Sequence, residues 1–248
     1  MSVQTDTAPH SRCEHCAIRH KAVCGALSEE ELSRLSQLSR ARIFKPGQTI
    51  LSDQEPSDFF ANIVSGTVKL TKTLADGRQQ IVGLQFSPDF LGRAYGSENP
   101  YFAEAASEVE LCCFPHDGFE RMLTEFPGLE HRLFEHTLGE LDAAREWMLL
   151  LGRKTAEEKV ASFLLMIAKR VPNIGCQHSE EVNFAQFELP LTRADIADYL
   201  GLTIETVSRH FTRLRTQGVI EITNKREILI PDLDALAACA DQDSSPLI

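Results

Sequence analysis

The spacing of apolar and polar positions changes character several times along this chain. From Arg42 to Pro115, short β-prone runs alternate with turn signals at Lys45-Pro46-Gly47, Ser65-Gly66, Ala75-Asp76-Gly77 and Ser87-Pro88-Asp89. In Val68-Lys69-Leu70-Thr71-Lys72-Thr73-Leu74 the apolar residues mostly alternate with polar ones, the period of a strand with one wet face. Asp76-Gly77 between two such runs is a hairpin signal. Many short strands at this spacing predict a small antiparallel barrel or jelly roll.

Around this block the period becomes helical. Ser28 followed by Glu31 makes a capping box and opens a short helix through about Leu38. After Phe126-Pro127-Gly128 a long helix is predicted, roughly Leu129 to Leu151. Its residues Phe134, Thr137, Leu141, Ala144, Met148 and Leu151 fall at intervals of 3, 4, 3, 4 and 3. That is a heptad seam, shorter than a convincing coiled coil. Such a seam serves either a helix packed on its own barrel or a dimer contact. The small Thr137 and Ala144 suit close helix approach and favour the dimer. Thr155 and Glu158 form a second capping box, and the helix behind it carries Val160, Phe163, Leu164, Ile167 and Ala168 on one face before ending ahead of Pro172. Residues 172–183 read as a loop, and Phe187-Glu188-Leu189 as a short strand.

Near the C-terminus the pattern predicts two short helices and a hairpin. Thr192 caps the first helix, Gly201 ends it, and Thr203 caps the second, from Ile204 to about Thr216. Val207, Phe211 and Leu214 share the inward face, and Glu205, Ser208 and Arg209 share the opposite one. Val219–Thr223 and Ile228–Ile230 flank a turn, a wing, and Pro231-Asp232 opens a last short helix. A carboxylate at Glu205 can accept from a cytosine amino group. The Arg209 guanidinium can fork onto guanine, and Ser208 can hydrogen-bond or touch a thymine methyl group. These residues lie at the helix start, the end that such motifs insert into the major groove. His210, Arg213 and Arg215 are placed to meet phosphates.

Charge sharpens this picture. The 248-residue chain carries a formal net charge of −11, which argues against nonspecific coating of nucleic acid or anionic membrane. From Thr192 to Ile230, however, six Lys/Arg face five Asp/Glu, so this module is near neutral within an acidic chain. The first residues lack the apolar core of a signal peptide, and no apolar run is long enough to span a bilayer. The expected location is the cytoplasm.

There, seven cysteines point to metal or redox chemistry before disulfides. Cys13, Cys16 and Cys24 form a C-x2-C-x7-C run, one thiolate short of the four that zinc or a cubic iron–sulfur cluster takes. Cys112, Cys113, Cys176 and Cys239 are the candidates for the fourth. In Glu108–Phe114, strand parity puts Val109, Leu111 and Cys113 on one face and Glu110 and Cys112 on the other. If the first face is core, Cys112 points to where an N-terminal arm can reach it, and Cys113 is a small buried hydrophobe.

Together with Ser65-Gly66-Thr67-Val68-Lys69, Leu111–Pro115, Leu149-Leu150-Leu151, Ala156-Glu157-Glu158 and Tyr199–Arg209, the cysteine run resembles the FNR branch of the CRP/FNR family of bacterial transcription regulators, over about Cys13 to Ala240. The seven-residue gap between Cys16 and Cys24 is similar to the FnrL/FnrN-like variant. The resemblance implies an α+β fold: an N-terminal antiparallel β-roll sensor domain of the cyclic-nucleotide-binding kind, a long dimerisation helix and a C-terminal winged helix-turn-helix. The corresponding boundaries are 1–27 for the Cys-rich segment, 28–126 for the roll, 127–153 for the helix, 154–240 for the DNA-binding domain and 241–248 for a tail. It implies a [4Fe–4S] cluster on Cys13, Cys16, Cys24 and Cys112 that oxygen destroys. It further implies homodimers that read TTGAT-N4-ATCAA-type palindromes in promoter DNA through Glu205, Ser208 and Arg209, with Thr203 and Arg213 alongside, and RNA polymerase as a partner. No catalytic constellation accompanies these motifs.

Two rival readings use the same fold. A cyclic-nucleotide sensor needs a Glu and an Arg-Ser pair, which Asp89–Gly92 and Tyr101–Ala103 do not supply, so no cyclic nucleotide is expected. A structural zinc or thiol-redox site would use the same thiols without oxygen lability; no βαβ context surrounds Cys13-x-x-Cys16 to make it a redox dithiol.

Overall fold

A computed structural model describes residues 13, 15–171, 183–224 and 226–241; Cys176 lies outside them. The chain divides into two compact units, residues 1–73 with 82–143, and residues 74–81 with 144–248.

In the first unit the Ser28 capping box forms, with Ser28 N–H donating to Glu31 Oε2 at 2.8 Å, and opens α1 (Glu29–Leu38). Eight strands follow: β1 (Arg40–Phe44), β2 (Thr49–Leu51), β3 (Phe59–Ser65), β4 (Thr67–Thr73), β5 (Gln79–Phe86), β6 (Phe90–Leu91), β7 (Phe102–Ala105) and β8 (Val109–Pro115). They form two four-stranded sheets, β1-β8-β3-β6 and β2-β7-β4-β5. The ladders within them are antiparallel. This is the β-roll. Gly77, in the predicted hairpin turn, has φ +86°, a conformation that favours glycine.

Strand parity decides where each β3 and β8 side chain goes. Phe59, Ala61 and Ile63 join Val109, Leu111 and Cys113 in the interior of the roll. Phe60 and Phe114 pack on the opposite face, against α1 and the elements that follow β8. There Phe119 sits 5.4 Å from Phe60, 5.4 Å from Phe90 and 5.3 Å from Phe114, ring centre to ring centre. Such pairs add about 0.5–1.5 kcal/mol each beyond the area they bury.

Phe119 lies on α2 (His116–Glu125), a helix the sequence reading did not anticipate. Its N-cap is Pro115, with no side-chain cap, so the usual start signal is missing. The signal that was present is the helical spacing of the buried Phe119, Met122 and Leu123 with half-buried Phe126.

The long helix α3 runs Pro127–Arg153, longer at each end than the expected 129–151. Proline is at home in a first helical turn because its missing N–H is not needed there. Leu129 is its one buried residue. Phe134, Thr137, Leu141, Ala144 and Met148 are exposed and Leu151 is half-buried, so this is not a core helix of its own chain.

In the second unit, α4 (Ala156–Arg170) starts from the Thr155 capping box and buries Val160, Phe163, Leu164 and Ile167. β9 (Ala185–Glu188), α5 (Arg193–Leu200), α6 (Ile204–Thr216), β10 (Glu221–Thr223), β11 (Glu227–Ile230) and α7 (Leu233–Ala240) follow. The strands make a sheet of order β10-β11-β9, so the wing hairpin is anchored by the expected short strand. The Trp147 ring, near the end of α3, stacks on Tyr199 of α5 with centroids 3.7 Å apart. No described helix is long and apolar enough to cross a membrane.

Candidate functional site

The cysteine run folds into a tight arm. Arg19 N–H donates to Cys16 O, Ala22 N–H to Ile18 O and Gly25 N–H to Ala22 O, and Val23–Ala26 closes as one 3₁₀ turn. A Cβ at residue 25 would lie 2.8 Å from Arg19 O, so glycine is what lets the chain double back. The seven residues between Cys16 and Cys24 include Ile18, Ala22 and Val23, all buried in the apolar layer outside the roll. The long spacing thus carries its own anchors.

Cys13, Cys16 and Cys112 are partly buried against that layer, and Cys24 is buried within it. Cys112 sits on β8, whose neighbours are β1 and β3, with Ala41 and Asn62 as its cross-strand partners. Burial pushes the Cys24 thiol up to about 12, and nearby Cys16 and Cys13 push it further in the same direction. Burial likewise pushes Cys112 up to about 12, followed by Cys13, Cys24 and Cys16. Cys24 and Cys112 therefore each feel the charge of Cys13 and Cys16. Cys113 is raised to about 11 by burial, with Arg42 opposing, and it lies inside the roll. Cys239 belongs to the other unit, near Glu157 and Arg213.

Thiols held this high stay protonated at neutral pH unless a cation takes the proton's place. Among the described residues no three or more His, Cys, Asp or Glu side chains are set to hold a single metal ion. The donor set fits a thiolate-ligated group. One polar side chain, missed from the sequence, joins it. Asn62 Nδ2 lies 3.8 Å from Cys24 Sγ, and Asn62 Oδ1 is buried without a partner among the described residues. The available signal was one amide in the apolar run Phe59-Phe60-Ala61-Asn62-Ile63-Val64.

The second candidate surface is α6. Gly201, at φ +61°, ends α5 in the left-handed conformation, and Thr203 caps α6 by accepting from Thr206 N–H at 3.2 Å. Val207, Phe211 and Leu214 are buried, and Glu205, Ser208 and Arg209 point to solvent. Hydrogen bonds from its own backbone N–H and the Thr203 side chain hold the Glu205 carboxyl below its usual range. Arg193 stacks 3.5 Å above the Phe211 ring and locks the two helices together.

Two expectations change here. Arg213 was placed for phosphate, but its Nη1 lies 2.8 Å from the nearly buried Glu157 on α4. It holds the back of the helix as well as facing outward. His210 was placed for phosphate too, yet it is half-buried with Nδ1 enclosed and without a partner among the described residues. Burial lowers its pKa, with Glu157 opposing. The Arg213 contact is not visible from helix periodicity, because Glu157 reaches α6 from a distant part of the sequence.

Residues 158–239 match the Crp-like helix-turn-helix domain and residues 41–126 the cyclic nucleotide-binding domain. Over 231 residues the chain is 50% identical to a probable transcriptional activator of Rhizobium leguminosarum bv. viciae, covering 93% of this chain and 94% of that protein. Over 233 residues it is 46% identical to the transcriptional activator protein FnrL of Cereibacter sphaeroides, covering 94% of this chain and 93% of that one. Among solved structures, FixK2 of Bradyrhizobium japonicum superimposes with a TM-score of 0.72 at 32% identity, over 81% of this chain and 96% of that chain. These relatives are transcription regulators, not enzymes.

Proposed function

We propose, for a chain that belongs to the CRP/FNR family of transcription regulators, that it is an oxygen-responsive activator of the FNR type. In this reading Cys13, Cys16, Cys24 and Cys112 hold a [4Fe–4S] cluster. The observation that carries it is that three arm thiols and one thiol of a central strand pack on the same apolar layer, with the charge of the arm thiols acting on Cys24 and Cys112. When bound, such a cluster supplies a centre that oxygen can dismantle. The arm residues Ile18, Ala22 and Val23 hold the three neighbouring ligands against the roll, and β8 fixes the fourth. No cyclic nucleotide is needed: Asp89–Gly92 and Tyr101–Ala103 lack the Glu and the Arg-Ser pair that would hold ribose and phosphate.

Homodimers would pair along α3 through Phe134, Thr137, Leu141, Ala144, Met148 and Leu151. The uncovered apolar face of that helix supports this. A seam this short buries little, so pairing is easily tipped. Dimerisation is also what DNA reading requires. Glu205, Ser208 and Arg209 give about 1–3 kcal/mol of discrimination each, too little for one copy to find a promoter among genomic competitors. Two copies related by a two-fold axis read a palindrome with half-sites about 34 Å apart, for which TTGAT-N4-ATCAA is the proposed form. At such sites RNA polymerase is the proposed partner. Thr203 caps the reading helix and Arg213 steadies it from behind.

The test is a gel-shift titration of anaerobically purified protein on a TTGAT-N4-ATCAA duplex, before and after exposure to air, with iron and acid-labile sulfide assayed on the same samples. Specific binding should be strong before exposure and lost after it. Ala144→Glu should bind weakly throughout and sediment as a monomer. Equal affinity in both states would remove oxygen from the mechanism, and a colourless zinc-bearing protein would replace the cluster with a structural ion.

A further inference from the structure

We infer that Asn62 donates a hydrogen bond to the Cys24 sulfur of the metal-loaded site and thereby sets how readily that site is oxidised. This rests on the cluster reading above and adds a residue outside the ligand set.

Asn62 stands in apolar surroundings. It is 1% exposed in a strand whose neighbours are Phe60, Ala61, Ile63 and Val64. Across the sheet it faces Cys112 on one side and Phe90 on the other. An apolar residue would fill this position at no polar cost, whereas an enclosed amide is unfavourable unless it is hydrogen-bonded. The roll offers it no oxygen among the contacts of the described residues. What its Nδ2 meets is Cys24 Sγ, at 3.8 Å.

That contact discriminates between forms of the site. A neutral thiol is a weak acceptor and gains little from an amide donor. A metal-bound thiolate is charged, and hydrogen bonds to charged acceptors are about twice as strong. The orientation of the amide follows from the same comparison. Turned over, it would aim Oδ1 at a negative sulfur and leave both N–H donors enclosed. The residue is thus matched to the loaded state, as partners behind metal ligands commonly are.

The direction of the effect follows. A donor on a ligating sulfur stabilises the form with more negative charge, which is the reduced form, so it raises the potential. Without it, dioxygen takes an electron from the iron centre more easily.

The experiment uses the full chain reconstituted anaerobically with iron and sulfide, as wild type, Asn62→Leu and Asn62→Ala. Iron and sulfide content, thermal unfolding, midpoint potential and the rate of bleaching in air are measured on each. The variants should take up iron as the wild type does, shift to lower potential and bleach roughly tenfold faster, the factor carried by one hydrogen bond to a charged group. Should Asn62→Leu not fold, Asn62→Ala, which only removes atoms, is read in its place. Unchanged potential and bleaching rate in a folded, iron-loaded variant overturn the role of Asn62 and leave the cluster reading intact. A wild type that takes up no iron and sulfide overturns the cluster reading itself.

Discussion

The thiol site and the reading helix are built in opposite ways. Glu205, Ser208 and Arg209 come from one stretch of one helix, with Thr203 capping it and Val207, Phe211 and Leu214 seating it. The thiol site joins an arm, Cys13 to Cys24, to a strand far along the chain, and β8 in turn depends on β1 and β3. A site from one helix should degrade gradually, side chain by side chain. A site closed across a sheet should be all or none, because the arm thiols and the strand thiol rest on separate stretches of chain that must both be in place.

The largest effect expected from this contrast separates two adjacent residues. Cys112→Ala should abolish anaerobic visible absorbance completely, while Cys113→Ala should keep it and lose only about 1–2 kcal/mol of stability from a small cavity inside the roll. Absorbance spectra and urea melts of the two proteins decide it; loss of colour in Cys113→Ala alone would reverse the assignment.

The middle effect belongs to the reading helix. Arg209→Ala should cost about 1–3 kcal/mol of preference at the guanine of each half-site and leave residual binding to other sequences. Binding to a panel of singly altered duplexes measures this. A total loss of binding would show that the reading surface is as all-or-none as the thiol site.

The smallest effect tests whether α6 is purely local. Burial lowers the pKa of His210 below its ordinary 6.5. The unfolded chain therefore takes up a proton that the folded chain refuses. Stability is complete above that ordinary value and falls as pH drops below it. Acidification from about pH 7 to about pH 5.5 should destabilise the wild type more than His210→Leu, as followed by thermal unfolding. Equal losses would mean that the His210 environment contributes nothing.

The same contrast explains what could be read from the sequence alone. The capping boxes at Ser28 and Thr155 and the turn at Gly201 are local signals, and each forms as expected. The orientations of Cys112 and Cys113 followed from strand parity. What stayed hidden depends on partners remote in sequence. Arg213 reaches Glu157, and Asn62 reaches Cys24. The helix α2 was missed for a local reason, because Pro115 supplies none of the side-chain caps that announce a start.

Arg213 has a mechanical consequence. α3 ends at Arg153, α4 begins at Ala156, and Glu157 in the first turn of α4 grips Arg213 of α6. Trp147 clasps Tyr199 a little further back. The elbow between the helices, Lys154-Thr155, is itself pinned, with Lys154 Nζ donating to Ser162 Oγ, Ala240 O and Asp241 Oδ1. The reading helix is thus geared to the end of α3 rather than hung from it by a slack tether. Within the second unit the end of α3 and α6 are tied together by side chains other than the four thiols and Glu205, Ser208 and Arg209.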